Sequence, residues 1–228
     1  MPMKFGAKPP KRDGRIKNVS SVFRVAMVPP PAYDFDASHP GIPIPLFANA
    51  DYNDCVIAAR AHHTLRLAVH AGRPLPNISD QDVINEYRTE NAAEDGVFDD
   101  KGVTFVTSLS EWTRAGWTAA GTPHRTIADF FSVNWQINDE LKNALIAATG
   151  VQVSLNLPDG LQNDGNFGPG NPWTDADAVG AFFHVILLTG YDTNGPIGIT
   201  WGEKQNISWE FFHAFCVEAY TVVGNANT

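Results

Sequence analysis

Asn49-Ala-Asp-Tyr-Asn-Asp-Cys55-Val-Ile-Ala-Ala-Arg-Ala-His-His63 sets turn-forming polar residues directly before a cysteine and a helical pattern directly after it. Ala58, Ala61, Leu65 and Ala68 recur at helical spacing and Gly72 supplies a stop, so Cys55 is expected to open a helix. The small residues Ala58, Ala59 and Ala61 permit close packing, as a central helix requires. A thiol is a nucleophile only as thiolate, and a helix N-terminus favours negative charge through its unpaired N–H groups and dipole. The base that such a thiol needs usually lies far away in sequence. His184 meets this requirement, at the head of the apolar run His184-Val-Ile-Leu-Leu-Thr-Gly-Tyr-Asp192, a strand candidate.

Working outward, residues 1–46 carry prolines at 2, 9, 10, 29, 30, 31, 40, 43 and 45 and are expected to form an extended N-terminal arm. Residues 47–228 then form one domain. Ser79 with Asp82 reads as a capping box for a helix to about Asn91, Thr104 to Ala115 as another helix, and Asn138 as the cap of a helix through Thr149. Val151 to Leu157 alternates as a half-buried strand, residues 157–180 form a Gly- and Asn-rich loop, and strands follow near 182–190, 197–201 and 217–223. Helices first and strands later make an α+β pattern.

Composition narrows the function classes. The chain has 228 residues, 43% of them hydrophobic and only 18% charged, which suits a packed domain. A net charge of −9 argues against nucleic acid, whose phosphates need clustered Lys and Arg. The one basic cluster, Lys4 to Lys17, reads as a surface arm. No apolar run approaches a membrane span or a secretory signal, so no membrane partner and a cytoplasmic location are expected, or a virion-associated one for a phage-encoded chain. Two cysteines do not make a disulfide framework. Cys216, flanked by Phe and Val without a base, reads as core, and adjacent His62 and His63 point different ways along a helix, so neither a metal nor a cofactor is expected.

The segments Asn49 to His63, His184 to Asp192 and Thr200-Trp-Gly202 together resemble the papain-like cysteine peptidase superfamily. Within it they look similar to little-characterised phage and bacterial proteins whose motifs read Gly-Asn-Asp-x-x-Gly-Asp-Cys, then Thr-Trp-Gly, Thr-Trp-x-Phe and Glu-Ala-Tyr. This chain has Thr200-Trp-Gly202, Ser208-Trp-Glu-Phe211 and Glu218-Ala-Tyr220. The resemblance implies a helical half, with Cys55 on its central helix, packed on an antiparallel β-sheet half. It implies Cys55 as nucleophile and His184, 129 residues downstream, as its base. Asn49 stands where the family has a Gln that donates to the oxyanion, and Asn53 where the similar group has a turn-forming Gly. Where the family has an Asn that holds the imidazole, Ile199 cannot accept a hydrogen bond, so Thr200 is expected to orient His184 and Trp201 to shield the pair.

Asp54, Trp173 and Phe183 are expected to border the substrate cleft, although turn and cap chemistry is the plainer reading of Asp54. The functional expectation is a cofactor-free cysteine-dependent peptidase or isopeptidase acting on a peptide or protein. The alternative is a catalytically inactive scaffold that binds or assembles, as a homo-oligomer or through its N-terminal arm.

Overall fold

The computed structural model describes residues 3–11, 13–22, 28–119, 125–163 and 165–225; His124 and Asp164 fall outside these. Helix α2, Cys55–His70, is buried along 13 of its 16 residues, which makes it a core helix rather than a surface one. Around it pack α3, Asp80–Asp95, with the Ser79–Asp82 capping box in place, and α4, Phe105–Arg114. Glycines 72, 96 and 116, all at positive φ, follow the ends of these helices. Helix α5 spans Asn138–Ala148; its N-cap is Ile137 and Thr149 takes the left-handed position after it, one residue from expectation at each end.

The sheet is antiparallel throughout, in the order β2 (Ile127–Ser132), β7 (Cys216–Gly224), β3 (Val151–Pro158), β4 (Gly180–Tyr191), β5 (Pro196–Thr200), β6 (Glu203–Asn206). Strands β2 and β6 and the short helix α6, Trp209–Phe215, were not expected from sequence. Strand β3 is buried on both faces, not one, because it is central: β7 and β4 flank it and helices cover the sheet. Strand β4 divides the two halves of the domain. Val185 packs with Cys55, Leu65, Tyr87 and Trp112 in the helical core, whereas Ile186 and Leu188 pack with Leu145, Leu155 and Phe212 in the sheet core.

The N-terminal arm is less extended than its prolines suggest. Tyr33–Asp34 form β1, paired with the end of β4, and Phe35–Ser38 form α1, whose N-cap Asp34 accepts from the backbone N–H groups of Asp36 and Ala37. Asp36 then receives both Nε (2.9 Å) and Nη2 (2.7 Å) of the fully buried Arg66 on α2. Among the described residues no helix is long and apolar enough to cross a membrane.

Candidate active site at the junction of the two halves

Cys55 is the first residue of α2 and is 1% exposed. The backbone N–H of Val185, on β4, donates to its sulfur at 3.3 Å, so the thiol faces the strand that carries His184. Burial pushes the thiol up to about 12; the N–H groups of Val185, Gly6 and Val56 oppose this, and the charge of Asp54 adds to it. The turn that delivers the cysteine is strained, since Phe47 (φ 55°) and Ala48 (φ 64°) are successive non-glycine residues in the left-handed region.

His184 lies on β4 with Nε2 2.7 Å from Thr200 Oγ1 on β5. Its other ring nitrogen, Nδ1, is buried without a hydrogen-bond partner among the described residues. Ile199 turns into the core, so the register of β5 against β4 presents the next residue, Thr200, to the imidazole. Trp201 stacks on His184 with centroids 4.4 Å apart, and reaches this position through a left-handed backbone (φ 47°) that a bulky residue rarely adopts. Burial pulls the imidazole down to about 3. Burial thus disfavours the charged form of both groups, and with it the thiolate–imidazolium pair, in this arrangement.

The chain's own N-terminal arm adds to that burial. Residues 3–8 run through the junction: Met3 N–H donates to Gln162 O, Lys4 N–H to Asn49 O, Ala7 N–H to Phe183 O and Lys8 N–H to Val103 O, while Val103 N–H donates to Gly6 O. Trp201 Nε1 donates to Lys4 O at 3.0 Å. Phe5 stacks on Phe182 (5.0 Å, 11°) and meets His184 and Trp201 edge-on. Gly6 lies so close to the backbone of Asn53 that a Cβ there would fall 2.2 Å from the Asn53 carbonyl carbon and oxygen. No side chain larger than hydrogen fits there without displacement.

The other expected residues take different places. Asn49 is buried, and its amide donates to Asp54 Oδ1 (2.8 Å) and Tyr52 O (3.3 Å), so both of its N–H groups point away from the junction. Asp54 does not line the cleft; it is the N-cap residue of α2 but makes no side-chain capping bond, since at 0% exposed it is held inside by Asn49, and burial raises its carboxyl well above the usual range. Asn53 does not take a left-handed turn; it binds Asp100 through its backbone and side-chain N–H groups. Trp173 is buried behind the cleft, against Trp201 and Phe211, with its Nε1 on Asn166 O. Alternation along β4 places Phe182 on the face of His184, so Phe182, 44% exposed, supplies the ring at the site, and Phe183 contributes only its carbonyl to the arm. Phe5, Gly6 and Val103 were missed; an apolar Phe-Gly amid the basic arm was their one sequence signal.

The Asn49–Asp54 bond makes a direct prediction. Asp54→Ala leaves a buried amide donor unpaired and is expected to lose about 1–3 kcal/mol of stability. Asp54→Asn keeps an acceptor oxygen and is expected to lose much less. Urea midpoints of the two variants check this, and equal losses would contradict it.

No family model matches the sequence, and no curated protein matches it. Among solved structures, xylellain, a cysteine protease from Xylella fastidiosa, aligns with a TM-score of 0.76 at 15% identity, over 98% of this chain and 97% of that one. The fold is that of the papain-like cysteine proteases. Similar solved structures also include the cysteine protease and lectin-like domains of Cwp84, a surface layer associated protein of Clostridium difficile (TM-score 0.69, 13% identity, 98% of this chain and 57% of that one). A third is digestive procathepsin L 3 of the Tenebrio molitor larval midgut (0.67, 15%, 96% and 76%). At these identities the likeness is one of fold, and the papain-like fold accounts for a cysteine-led central helix facing an antiparallel sheet.

Proposed function

We propose that this chain is a papain-like thiol hydrolase of peptide or isopeptide bonds that is held latent by its own N-terminal arm. The observation that carries the reading is a helix-N-terminal thiol that faces the strand of an imidazole whose Nε2 is engaged by Thr200 and whose Nδ1 has no hydrogen-bond partner among the described residues. In the working state Nδ1 takes the proton of Cys55, the thiolate attacks the carbonyl carbon, and the imidazolium returns the proton to the leaving amine. Water then attacks the acyl-thioester with His184 as base, and the thiol is regenerated. The N–H groups at the start of α2 stabilise the oxyanion, joined by Asn49 once its amide turns from Asp54. Thr200 orients the imidazole and Trp201 excludes water above it.

Latency follows from the arm. Its seat over Cys55 and His184 removes water from both groups and opposes the ion pair that attack requires. The arm's backbone hydrogen bonds to Gln162, Asn49, Phe183 and Val103 hold it in this seat.

The test is alkylation of the native protein by iodoacetamide from acid to alkaline pH, with adducts located by mass spectrometry, on the unaltered chain and on His184→Ala and Thr200→Val. The expected result is that Cys55 labels with a rate that drops by about tenfold or more in His184→Ala and by less in Thr200→Val, since the valine keeps the shape but removes the hydroxyl. If Cys55 reacts as an ordinary thiol regardless of His184, the hydrolase reading fails.

A further inference from the structure

Beyond the thiol, the arm runs past the edge of an acidic groove between α3 and α4. This cavity of about 340 Å3 is lined by Glu86, Glu90, Glu94, Val103, Glu111 and Arg114 among others. Val103, whose backbone holds Gly6 and Lys8, is one of its lining residues, so a peptide lying over Cys55 along the arm's path passes its edge. Two of the arm's lysines sit on its rim: Lys8 Nζ on Asp95 and, at 3.5 Å, on Glu94, and Lys11 Nζ on Glu94 at 3.2 Å.

The groove's own cations do not match its carboxylates. The buried Arg60 is shared between Glu86 (2.9 Å) and Glu90 (2.5 Å), and Arg114 pairs with Glu111. Asp95 and Glu94 depend on the arm for their ion pairs. Glu90 is 9% exposed, and its second oxygen, Oε2, is buried with no partner. A buried carboxylate oxygen lacking a donor is costly and is the kind of group a ligand's ammonium or guanidinium satisfies. Burial raises Glu86 against the pull of Arg60, with Glu90 adding to the rise, as expected where two carboxylates share one guanidinium. The net charge of −9 draws a cationic peptide toward the same face.

The geometry points to this groove as the specificity element of the cleft: it takes a lysine or arginine of a peptide substrate, two to five positions along from the residue seated on Cys55, and the arm's Lys8 and Lys11 pair with carboxylates at its edge. This rests on the hydrolase reading for the word substrate, but binding can be read without turnover. The full chain carrying Gly6→Val, Lys8→Ala and Lys11→Ala to unseat the arm, and Cys55→Ala to prevent cleavage, is titrated into a fluorescent peptide, Phe-Gly-Ala-Lys-Pro-Pro-Lys. A second peptide has both lysines replaced by norleucine. Anisotropy is expected to show the lysine peptide binding about tenfold tighter at low salt, with the difference shrinking as salt rises. Adding Asp95→Asn and Glu94→Gln, which leaves an acceptor for the Thr104 backbone N–H now bonded to Glu94, is expected to remove the preference. Equal affinities, no measurable binding of either peptide, or a preference that survives Asp95→Asn and Glu94→Gln would overturn the inference. A cationic preference in a chain that cleaves neither peptide when Cys55 is present sustains the groove and rejects the hydrolase; cleavage of both peptides alike does the reverse.

Discussion

Gly6→Val is expected to raise the rate of Cys55 alkylation near pH 7 by about 5- to 150-fold. A Cβ at Gly6 falls 2.2 Å from the Asn53 backbone, which cannot give way easily because Asn53 is fixed to Asp100 by two hydrogen bonds. Overpacking of this kind costs about 1–3 kcal/mol, and here the cost falls on the seated arm rather than on the domain, so the population with an open cleft grows by the corresponding factor. Exposure also relieves the burial that holds the thiol near 12 and the imidazole near 3, so the rate–pH curve is expected to move to lower pH as well as upward. Iodoacetamide kinetics across pH check both effects, with thermal unfolding as the control for the fold. An unchanged rate in a folded variant would mean that residues 3–8 do not limit access to Cys55. Phe5→Ala is the companion, since it removes the ring that covers His184 but adds no clash.

Arg66→Ala is expected to destabilise the protein by about 3–5 kcal/mol, a large share of the roughly 5–15 kcal/mol that holds a typical domain. Arg66 has no exposed side-chain surface and makes a two-pronged pair with Asp36, while its Nη1 donates to His62 O at 2.9 Å. Removing it strands a buried carboxylate on α1, the element that ties the arm to α2. Replacing both partners, Arg66→Met with Asp36→Leu, is expected to recover most of the loss, because an apolar pair of similar volume leaves no unpaired charge. Denaturant midpoints of the two variants decide it; a single-site loss below about 1 kcal/mol would mean that water reaches Asp36 when its partner is gone.

Local signals were legible wherever the deciding forces are local. The Ser79–Asp82 box, the glycines after α2 and α4, and the apolar run of β4 each depend on residues within a turn or a strand of one another, whereas α3 runs on to Asp95, past the end expected near Asn91. The same holds for Cys55 at the head of its helix, which follows from the polar turn before it and the alanine spacing after it. Strand β6, with its polar Glu203-Lys-Gln-Asn206, carries no such signal, because its pairing to β5 rather than its own composition makes it a strand.

What the sequence by itself determined is therefore the α+β order of elements, the cysteine at a helix N-terminus, and the choice of His184 and Thr200 as the groups to look for beside it. Only the tertiary structure decided that the junction is closed. The seat of Phe5 on Phe182, the fit of Gly6 against Asn53 and the lysines on Glu94 and Asp95 join residues from about 47 to 177 positions apart. Tertiary packing likewise turned the Asn49 amide inward onto a buried Asp54 and put Trp173 behind the cleft. Contacts of that span depend on how the two cores meet across β4. A pattern read along the chain reports the face that each element buries, and does not report which distant segment will lie against it.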